Sequence, residues 1–353
     1  MSIFETMMGV QLVGHGGPEM LVWNQAIPMP VPGPGEALMR VLAAGVNNTD
    51  INTRIGWYSK QVSGPTEAVK AGENVENGGW AGALQFPLIQ GGDMCGEVAA
   101  LGEGVSDIRI GSRVICACCQ PVPTTDEPVK INVIGSEYDG AFAEYCVVPA
   151  DQLFDVSASP LSDIEIGAMP CAFGTAMGLL MRAGVVAGDR VLVTGASGGV
   201  GMAAVMIAKL KGAVVTGVSS AAKAESVREA GADDVIGRTD KPDVQGYSVV
   251  IDLVGGDGWG ALIDALKPGG CYAVAGAIGG PIVAADLRTI YLNDLSIFGC
   301  TYQSREVFGA LVDLINAGSL RPLVSKTYPL RDIAVAQADF VSKRYPGKLV
   351  LIP

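Results

Sequence analysis

The chain has 353 residues, a length typical of two domains rather than one. Apolar residues make up 49 % and charged residues 17 %, the balance of a globular protein with material for two cores. The net charge of −12 disfavours nucleic acid as a partner, because an acidic surface repels phosphate. No uncharged apolar stretch is long enough to span a bilayer, and the N-terminus lacks a secretory pattern. We therefore expect a cytoplasmic protein without a membrane partner.

Histidine and cysteine content limits the chemistry that the chain can perform. His15 is the only histidine, so chemistry that needs several histidines is excluded. The eight cysteines are expected to be reduced and mostly buried, as in cytosolic proteins of this size.

Three regions follow one another along the chain. Residues 1–155 contain short β-like runs separated by Gly and Pro turns, which predicts a β-barrel-like domain. Within this region, residues 59–84 are polar and glycine-rich and are predicted to form a long loop. Residues 156–303 alternate strands with helices, which predicts a parallel, doubly wound α/β sheet. In residues 304–353 a helix precedes two strand-like runs, and we expect the chain to return there to the first domain.

A glycine-rich turn joins a strand to a helix in the second region. The strand covers residues 190–194, and apolar residues with helical spacing follow over residues 200–210. Small residues let the backbone approach a pyrophosphate, and the helix N-terminus directs free N–H groups at it. In this βαβ context the turn predicts a dinucleotide site, with a tight turn alone as the alternative. The turn residues predicted to bind the cofactor are Gly195, Ala196, Ser197, Gly198, Gly199, Val200 and Gly201.

The end of the next strand indicates which dinucleotide is preferred. An NAD site usually has an Asp or Glu there, which binds the ribose 2′-hydroxyl. This strand ends instead in Ser219 and Ser220, Lys223 comes soon after, and Arg238 follows the third strand. Two hydroxyls and two cations suit a 2′-phosphate, so the sequence predicts NADPH as the cofactor. A solvated helix lysine is the alternative for Lys223.

Six motifs follow one another along nearly the whole chain, at residues 45–50, 91–98, 111–114, 140–145, 195–201 and 347–351. Their order and spacing resemble the medium-chain dehydrogenase/reductase superfamily, and within it the zinc-independent quinone oxidoreductase branch. The resemblance implies a GroES-like β domain with a Rossmann domain inserted into it. It also implies a homodimer through the apolar edge at residues 281–302, with burial of that edge under a loop as the alternative.

The zinc positions of the related alcohol dehydrogenases carry different residues in this chain. Those enzymes have Cys-His where this chain has Asn47 and Asn48, and His-Glu where it has Gly92 and Asp93. Their third ligand matches Cys171. One thiol and one carboxylate fall short of the three protein ligands that catalytic Zn²⁺ needs, so we predict no metal.

The reaction predicted for a zinc-free site is reduction of an activated double bond or quinone. Without a metal to stabilise an alkoxide, hydride transfer to the electron-poor carbon of a quinone, enone or enoyl thioester is the easier reaction. The resemblance suggests Asn47, Asn48, Thr49 and Tyr58 as catalytic residues, which hold the substrate carbonyl or supply a proton. A simple turn at Asn47 and Asn48, and a packed rim position for Tyr58, are the alternatives.

Other positions are assigned by the same resemblance. Cys171 is expected to be a packed thiol rather than a nucleophile. Two rival functions remain open, namely a zinc alcohol dehydrogenase with unusual ligands and a dinucleotide-binding protein that is not an enzyme. The residues predicted to complete the cofactor site are Thr175, Val254, Ala275, Gly276 and Lys348.

Overall fold

The computed structural model describes residues 5–66, 78–80 and 82–353. Residues 67–77 and 81, which belong to the predicted long loop, lie outside the described residues. The chain divides into two compact units. Of the described residues, the first unit comprises 5–62, 78–80, 82–171 and 302–353, and the second comprises 63–66 and 172–301.

Strands joined by tight turns form most of the first unit, because short alternating apolar runs between Gly and Pro turns favour strands over helices. Two N-terminal strands pair antiparallel, and two short strands form a separate ribbon. The strands are β1 (Thr6–Leu12), β2 (Leu21–Pro28), β3 (Glu36–Gly45), β4 (Cys95–Leu101), β5 (Arg113–Cys116), β6 (Cys119–Pro121), β7 (Ile131–Val133), β8 (Tyr145–Pro149) and β9 (Leu153–Asp155), and the helices are α1 (Asn48–Ile55) and α2 (Asp163–Gly167).

Helix α1 is not predicted from the sequence, because buried polar residues interrupt its apolar pattern. Only Ile51 and Ile55 give the spacing of one helical turn. The helix begins after Asn47, whose backbone N–H donates to the Asp50 side chain at 2.8 Å. It ends at Gly56, which adopts the left-handed conformation (φ 75°) that favours glycine.

The second unit alternates strands with helices, as the sequence predicts. The helix that begins at Trp259 ends at Asp264, and Leu266 pairs with Tyr247 as the first residue of the next strand. The elements are α3 (Pro170–Arg182, within this unit from Ala172), β10 (Arg190–Val193), α4 (Gly199–Leu210), β11 (Val214–Ser219), α5 (Ala224–Glu229), β12 (Asp234–Gly237), β13 (Tyr247–Asp252), α6 (Trp259–Asp264), β14 (Leu266–Val274), α7 (Leu287–Leu292) and β15 (Ser296–Gly299).

The sheet of the second unit is parallel, in the order β12-β11-β10-β13-β14-β15. This confirms the predicted Rossmann sheet. The strand order reverses between β10 and β13, and such a switch point is where these folds bind dinucleotides. Leu192 and Val250 are buried at the centre of this unit, with Trp259 and Tyr272 beside them.

The last segment of the chain belongs to the first unit. It contains α8 (Arg305–Asn316), β16 (Val324–Pro329), α9 (Ile333–Val341) and β17 (Lys348–Ile352). Strand β17 pairs with β3, so the sheet runs in the order β16-β17-β3-β4-β5-β9, with β8 also on β3. No described helix has both the length and the apolar character needed to cross a membrane.

Candidate active site

A buried carboxylate, Asp93, lies in the turn before β4 and is closed to solvent. Its Oδ2 accepts hydrogen bonds from Asn47 Nδ2 at 2.8 Å and from Lys348 Nζ at 2.9 Å. Its Oδ1 accepts from the backbone N–H of Cys171 at 2.6 Å. That N–H lies in the first turn of α3, where the helix dipole favours a negative charge. Asp93 therefore joins the start of α1, the start of α3 and β17.

Lys348, the first residue of β17, has a side chain that is 3 % exposed. Its ammonium donates to Asp93 Oδ2, to Asn47 Oδ1 and, at 3.1 Å, to the backbone carbonyl of Val46. Three N–H groups thus meet three acceptors, all in the first unit. A buried ammonium is stable only when partners satisfy it in this way. Contact between Lys348 and the cofactor stays a prediction.

A second buried carboxyl, Asp50, lies in the first turn of α1. Burial, together with the nearby Asp93, raises its pKa to about 7. The backbone N–H of Asn47 and the Lys348 ammonium act in the opposite direction. Two carboxyl groups therefore share the field of one ammonium, and Asp50 titrates near neutral pH.

The structure brings Tyr58 together with the predicted catalytic residue Thr49. The phenol hydroxyl forms hydrogen bonds with the side chains of Thr49 and Asn52, which lie on one face of α1. The Tyr58 ring packs on Trp80, with ring centroids 4.8 Å apart. Burial raises the pKa of Tyr58, so the phenol keeps its proton at neutral pH. Asn48 is half-buried at the first position of the helix.

Cys171 packs beside other thiols. A hydrogen bond with the Cys118 thiol, together with burial, raises the pKa of Cys171 well above its usual range. Cys118 and Cys119 form a small apolar cluster against which Cys171 and Trp80 pack. A protonated, packed thiol is a poor nucleophile.

The residues at the zinc positions do not fit a zinc ion. Asp93 is already neutralised by Lys348, and the Asn47 amide is bonded to both of them. At Gly92 a Cβ atom would lie 2.5 Å from Cys118 Sγ, which leaves no room for a histidine. Over residues 5–66, 78–80 and 82–353, no group of three or more His, Cys, Asp or Glu residues is arranged to hold a metal.

The predicted dinucleotide turn joins β10 to α4 at the switch point of the second unit. Gly195 has a φ of 59°, a conformation that favours glycine. A Cβ atom on Gly201 would lie 2.3 Å from the carbonyl oxygen of Gly195, so only glycine allows this close contact between helix and turn. These are the roles of the first and last glycines in a dinucleotide-binding turn. The residues from Ala196 to Val200 lie between them, at the N-terminus of a helix of 12 residues.

Asp252, which the sequence does not single out, ties the neighbouring strand ends together. Its carboxylate accepts hydrogen bonds from Thr194 Oγ1 at 2.6 Å and from Tyr272 Oη at 2.5 Å. It also accepts from the backbone N–H groups of Val254 and Gly255. The carboxyl ends of β10, β13 and β14 are thereby fixed beside the glycine turn. Of the other predicted cofactor residues, Ala275 and Gly276 follow β14, and Thr175 lies on α3.

The residues predicted to bind a 2′-phosphate lie at the ends of β11 and β12. The Ser219 hydroxyl is buried, and no described residue is its hydrogen-bond partner. Ser220 follows it and is half-buried. Burial, together with repulsion from Arg238, lowers the pKa of Lys223, which places the two cations near each other. A buried hydroxyl and two adjacent cations form a suitable environment for a phosphate.

Similarity to known proteins extends over the whole chain. Residues 33–158 match the alcohol dehydrogenase GroES-like domain family, and residues 199–317 match the zinc-binding dehydrogenase family. A solved structure from Sinorhizobium meliloti 1021, assigned as an alcohol dehydrogenase, is 39 % identical. The match covers 100 % of this chain and 98 % of that one, with a TM-score of 0.88. The chain belongs to the medium-chain dehydrogenase/reductase superfamily. It is therefore an oxidoreductase of a family that uses pyridine nucleotides.

Curated relatives place the protein in the quinone oxidoreductase-like branch of the superfamily. A 2-haloacrylate reductase of Burkholderia sp is 29 % identical over 96 % of each chain. An acryloyl-coenzyme A reductase of Metallosphaera sedula is 29 % identical over 91 % of this chain and 93 % of its own. The quinone oxidoreductase of Mus musculus is 26 % identical over 98 % of each chain. The predicted family and fold class are both confirmed.

Proposed function

We propose that this oxidoreductase uses NADPH to reduce an activated carbon–carbon double bond or a quinone, and that it needs no catalytic zinc. The observation that carries the proposal is that Asn47 and Gly92 stand where zinc relatives have Cys and His, while the neighbouring carboxylate of Asp93 is buried in an ion pair with Lys348. A carboxylate that is already paired with an ammonium is a poor ligand for Zn²⁺. Without a Lewis acid, a conjugated carbonyl is a better reaction partner than an alcohol, because it spreads the negative charge itself.

The substrate class follows from the same chemistry. An electron-poor carbon conjugated to a carbonyl group accepts a hydride, and enones, enoyl thioesters and quinones all provide one. Relatives named as reductases of 2-haloacrylate and acryloyl-coenzyme A, and as quinone oxidoreductases, support this class.

NADPH, when bound, supplies the hydride. In the first unit, Thr49 and Tyr58 form a pair of hydrogen-bonded hydroxyl groups, and the raised pKa of the phenol keeps it a proton donor. This pair donates to the substrate carbonyl or to the carbon that takes up the proton. The amides of Asn47 and Asn48, at the start of α1, help to hold the substrate carbonyl.

Preference for NADPH over NADH is assigned to the ends of β11 and β12. The unpartnered hydroxyl of Ser219, the adjacent Ser220, and the cations of Lys223 and Arg238 bind the 2′-phosphate. The turn from Gly195 to Gly201 binds the pyrophosphate. Because β11 ends in Ser219 and not in a carboxylate, the last residue of this strand does not repel a phosphate.

A homodimer through the β15 edge is part of the proposal. Strand β15 ends the sheet of the second unit, and apolar side chains near it are exposed: Ile297 is 44 % exposed, Leu287 67 % and Leu292 70 %. An open strand edge with an apolar surround pairs readily with a second copy. Sedimentation of wild type and of Ile297→Lys tests this, since the substitution is expected to give a monomer. A wild-type monomer would contradict it.

The proposed reaction is tested with a panel of acceptors, by following the absorbance of NADPH. The panel contains an enone, an enoyl thioester and a quinone, and the reverse assay contains a primary alcohol with NADP⁺. We expect turnover with at least one acceptor and none with the alcohol. Alcohol oxidation that is lost with zinc would favour a zinc alcohol dehydrogenase instead. Dinucleotide binding without any turnover would favour a protein that is not an enzyme.

A further inference from the structure

We infer that Trp80 is a specificity-determining residue of the acceptor site, and that its indole forms a flat wall that favours planar cyclic acceptors over acyclic ones. The inference rests on the proposed reduction of a conjugated acceptor, and it adds the shape that the site selects. Trp80 belongs to the long segment of residues 59–84 and lies outside the six family motifs, so the resemblance gives it no role.

The indole of Trp80 packs directly on the proposed proton donor. Its ring centroid lies 4.8 Å from that of Tyr58, and the two ring planes are 38° apart. Trp80 also packs against the small cluster of Cys118 and Cys119, as Cys171 does. The indole is only half-buried, so part of its surface is exposed. An exposed aromatic face beside a proton donor is a surface on which a flat conjugated ring can stack.

Contact between the two rings places the indole beside the skeleton of a bound acceptor. The Tyr58 hydroxyl is hydrogen-bonded with Thr49, and an acceptor carbonyl that receives its proton brings the conjugated carbons close to Trp80. A planar ring meets the indole with a whole face, whereas an acyclic chain meets it with a few atoms. We therefore expect stacking to favour quinones and cyclic enones by about three- to tenfold.

A glycine two positions before Trp80 anchors the indole to the end of α1. A Cβ atom on Gly78 would lie 2.7 Å from Gly56 Cα and 2.8 Å from the His15 ring, so only glycine fits between them. His15 is itself held at the helix end, because its Nδ1 lies 3.0 Å from the carbonyl oxygen of Thr53. Gly78 is therefore a positioning residue, which acts on the acceptor through Trp80.

The first test compares two acceptors in the full-length Trp80→Leu variant. Duroquinone is the cyclic probe, because its methyl groups block the addition of thiols, and a crotonyl thioester is the acyclic probe. We expect kcat/KM for duroquinone to fall about three- to tenfold, mainly through KM, while kcat/KM for the thioester stays near its wild-type value. The matched control is Phe86→Leu, because Phe86 packs on His15 and not on Tyr58; this variant should keep the wild-type ratio.

Gly78→Ala tests the anchor without altering the indole. The added methyl group has no room beside Gly56 and His15, so it displaces the residues that carry Trp80. We expect the same change of acceptor preference as in Trp80→Leu, and this variant keeps the inference testable if Trp80→Leu does not fold. Gly260→Ala is the control, because a Cβ atom at Gly260 meets no atom within 4 Å.

A binding measurement separates this inference from the proposed reaction. Duroquinone quenches tryptophan fluorescence on contact, and NADP⁺ in the sample supplies no hydride. We expect saturable quenching in wild type and Phe86→Leu that is largely lost in Trp80→Leu. Equal quenching in all three proteins, or an equal loss of kcat/KM for both acceptors in Trp80→Leu, would overturn the inference. If no acceptor is reduced at all, the proposed reaction is rejected, and the quenching alone decides whether Trp80 contacts the ring.

Discussion

Lys348 Nζ and Asp93 Oδ2 lie 2.9 Å apart, and the two side chains are 3 % and 0 % exposed. In such a pair, removing one partner leaves an uncompensated buried charge, whereas removing both often costs little. We expect Lys348→Met to lower the free energy of unfolding by about 3–5 kcal/mol, and Lys348→Met/Asp93→Asn to recover most of that loss.

Urea denaturation measures both effects. The matched control is Lys326→Met, which removes a partly exposed partner of Asp339 and should lower the free energy of unfolding far less than Lys348→Met does. If the double variant lost as much stability as the sum of the two single variants, the pair would not be coupled and this account would be wrong.

The raised pKa of Asp50 makes the stability of the folded protein decrease as the pH rises. Burial raises this pKa from 3.8 to about 7 in the folded protein. The folded state therefore holds this proton more tightly than the unfolded state. The stability that this bound proton contributes is fully present below the pKa of Asp50 in the unfolded state. It is lost as the pH rises through the pKa of Asp50 in the folded state. Relative to wild type, Asp50→Asn should gain roughly 3 kcal/mol of stability between about pH 5 and pH 8.

Denaturation of both proteins across that pH range tests the prediction. Asp339→Asn is the control, because hydrogen bonds from Tyr328 and Lys326 lower the pKa of Asp339. Its stability difference from wild type should stay constant over the same range. A constant difference for Asp50→Asn as well would show that Asp50 is ionised throughout.

Lys223→Ala tests the 2′-phosphate site. A charge-assisted hydrogen bond to phosphate contributes about 1.5–3 kcal/mol, so we expect the Kd for NADPH to rise at least about tenfold. The Kd for NADH should not change, because NADH carries no 2′-phosphate. Fluorescence titration measures both constants. Lys241→Ala removes an exposed lysine of the same unit and is the control. An equal loss for both dinucleotides would place Lys223 elsewhere in the site.

Tyr58→Phe tests the hydroxyl pair. Removal of a proton donor typically slows turnover by about 10²-fold or more, and we expect kcat to fall by that order while the Kd for NADPH stays unchanged. Thr49→Val should act in the same direction, since it removes the partner of the phenol. Tyr291→Phe, which changes a side chain in the second unit that is 63 % exposed, is the control. Full activity in Tyr58→Phe would support the packed rim alternative for this tyrosine.

The sequence predicts the second unit better than the first, because the patterns that indicate the second unit's strands, turns and helices lie close together in the sequence. Strand, glycine turn and helix follow one another within residues 190–210, and their periodicity indicates the Rossmann sheet directly. Helix α1 escapes prediction because its buried positions are polar, although Asn47, Asp50 and Gly56 mark its ends.

No local sequence pattern predicts the ion pair of Asp93 and Lys348 in the first unit. Asp93 and Lys348 are 255 positions apart, and no spacing rule connects them. Lys348 begins a strand that pairs with β3, which ends just before Val46, and only this pairing brings the ammonium to Asn47 and Asp93. Trp80 and Asp252 are similar cases, since their roles depend on contacts formed after folding.

Measuring metal content and turnover on the same sample tests whether the protein reduces its acceptor with NADPH without zinc. The protein is treated with a strong chelator, its zinc is quantified, and NADPH oxidation is followed with the best acceptor of the panel. We predict less than about a tenth of a zinc atom per chain and an unchanged kcat, because Asn47 and Gly92 replace the Cys and His of the zinc relatives and Asp93 is paired with Lys348. Loss of activity in proportion to zinc, with recovery when zinc is added back, would contradict the account.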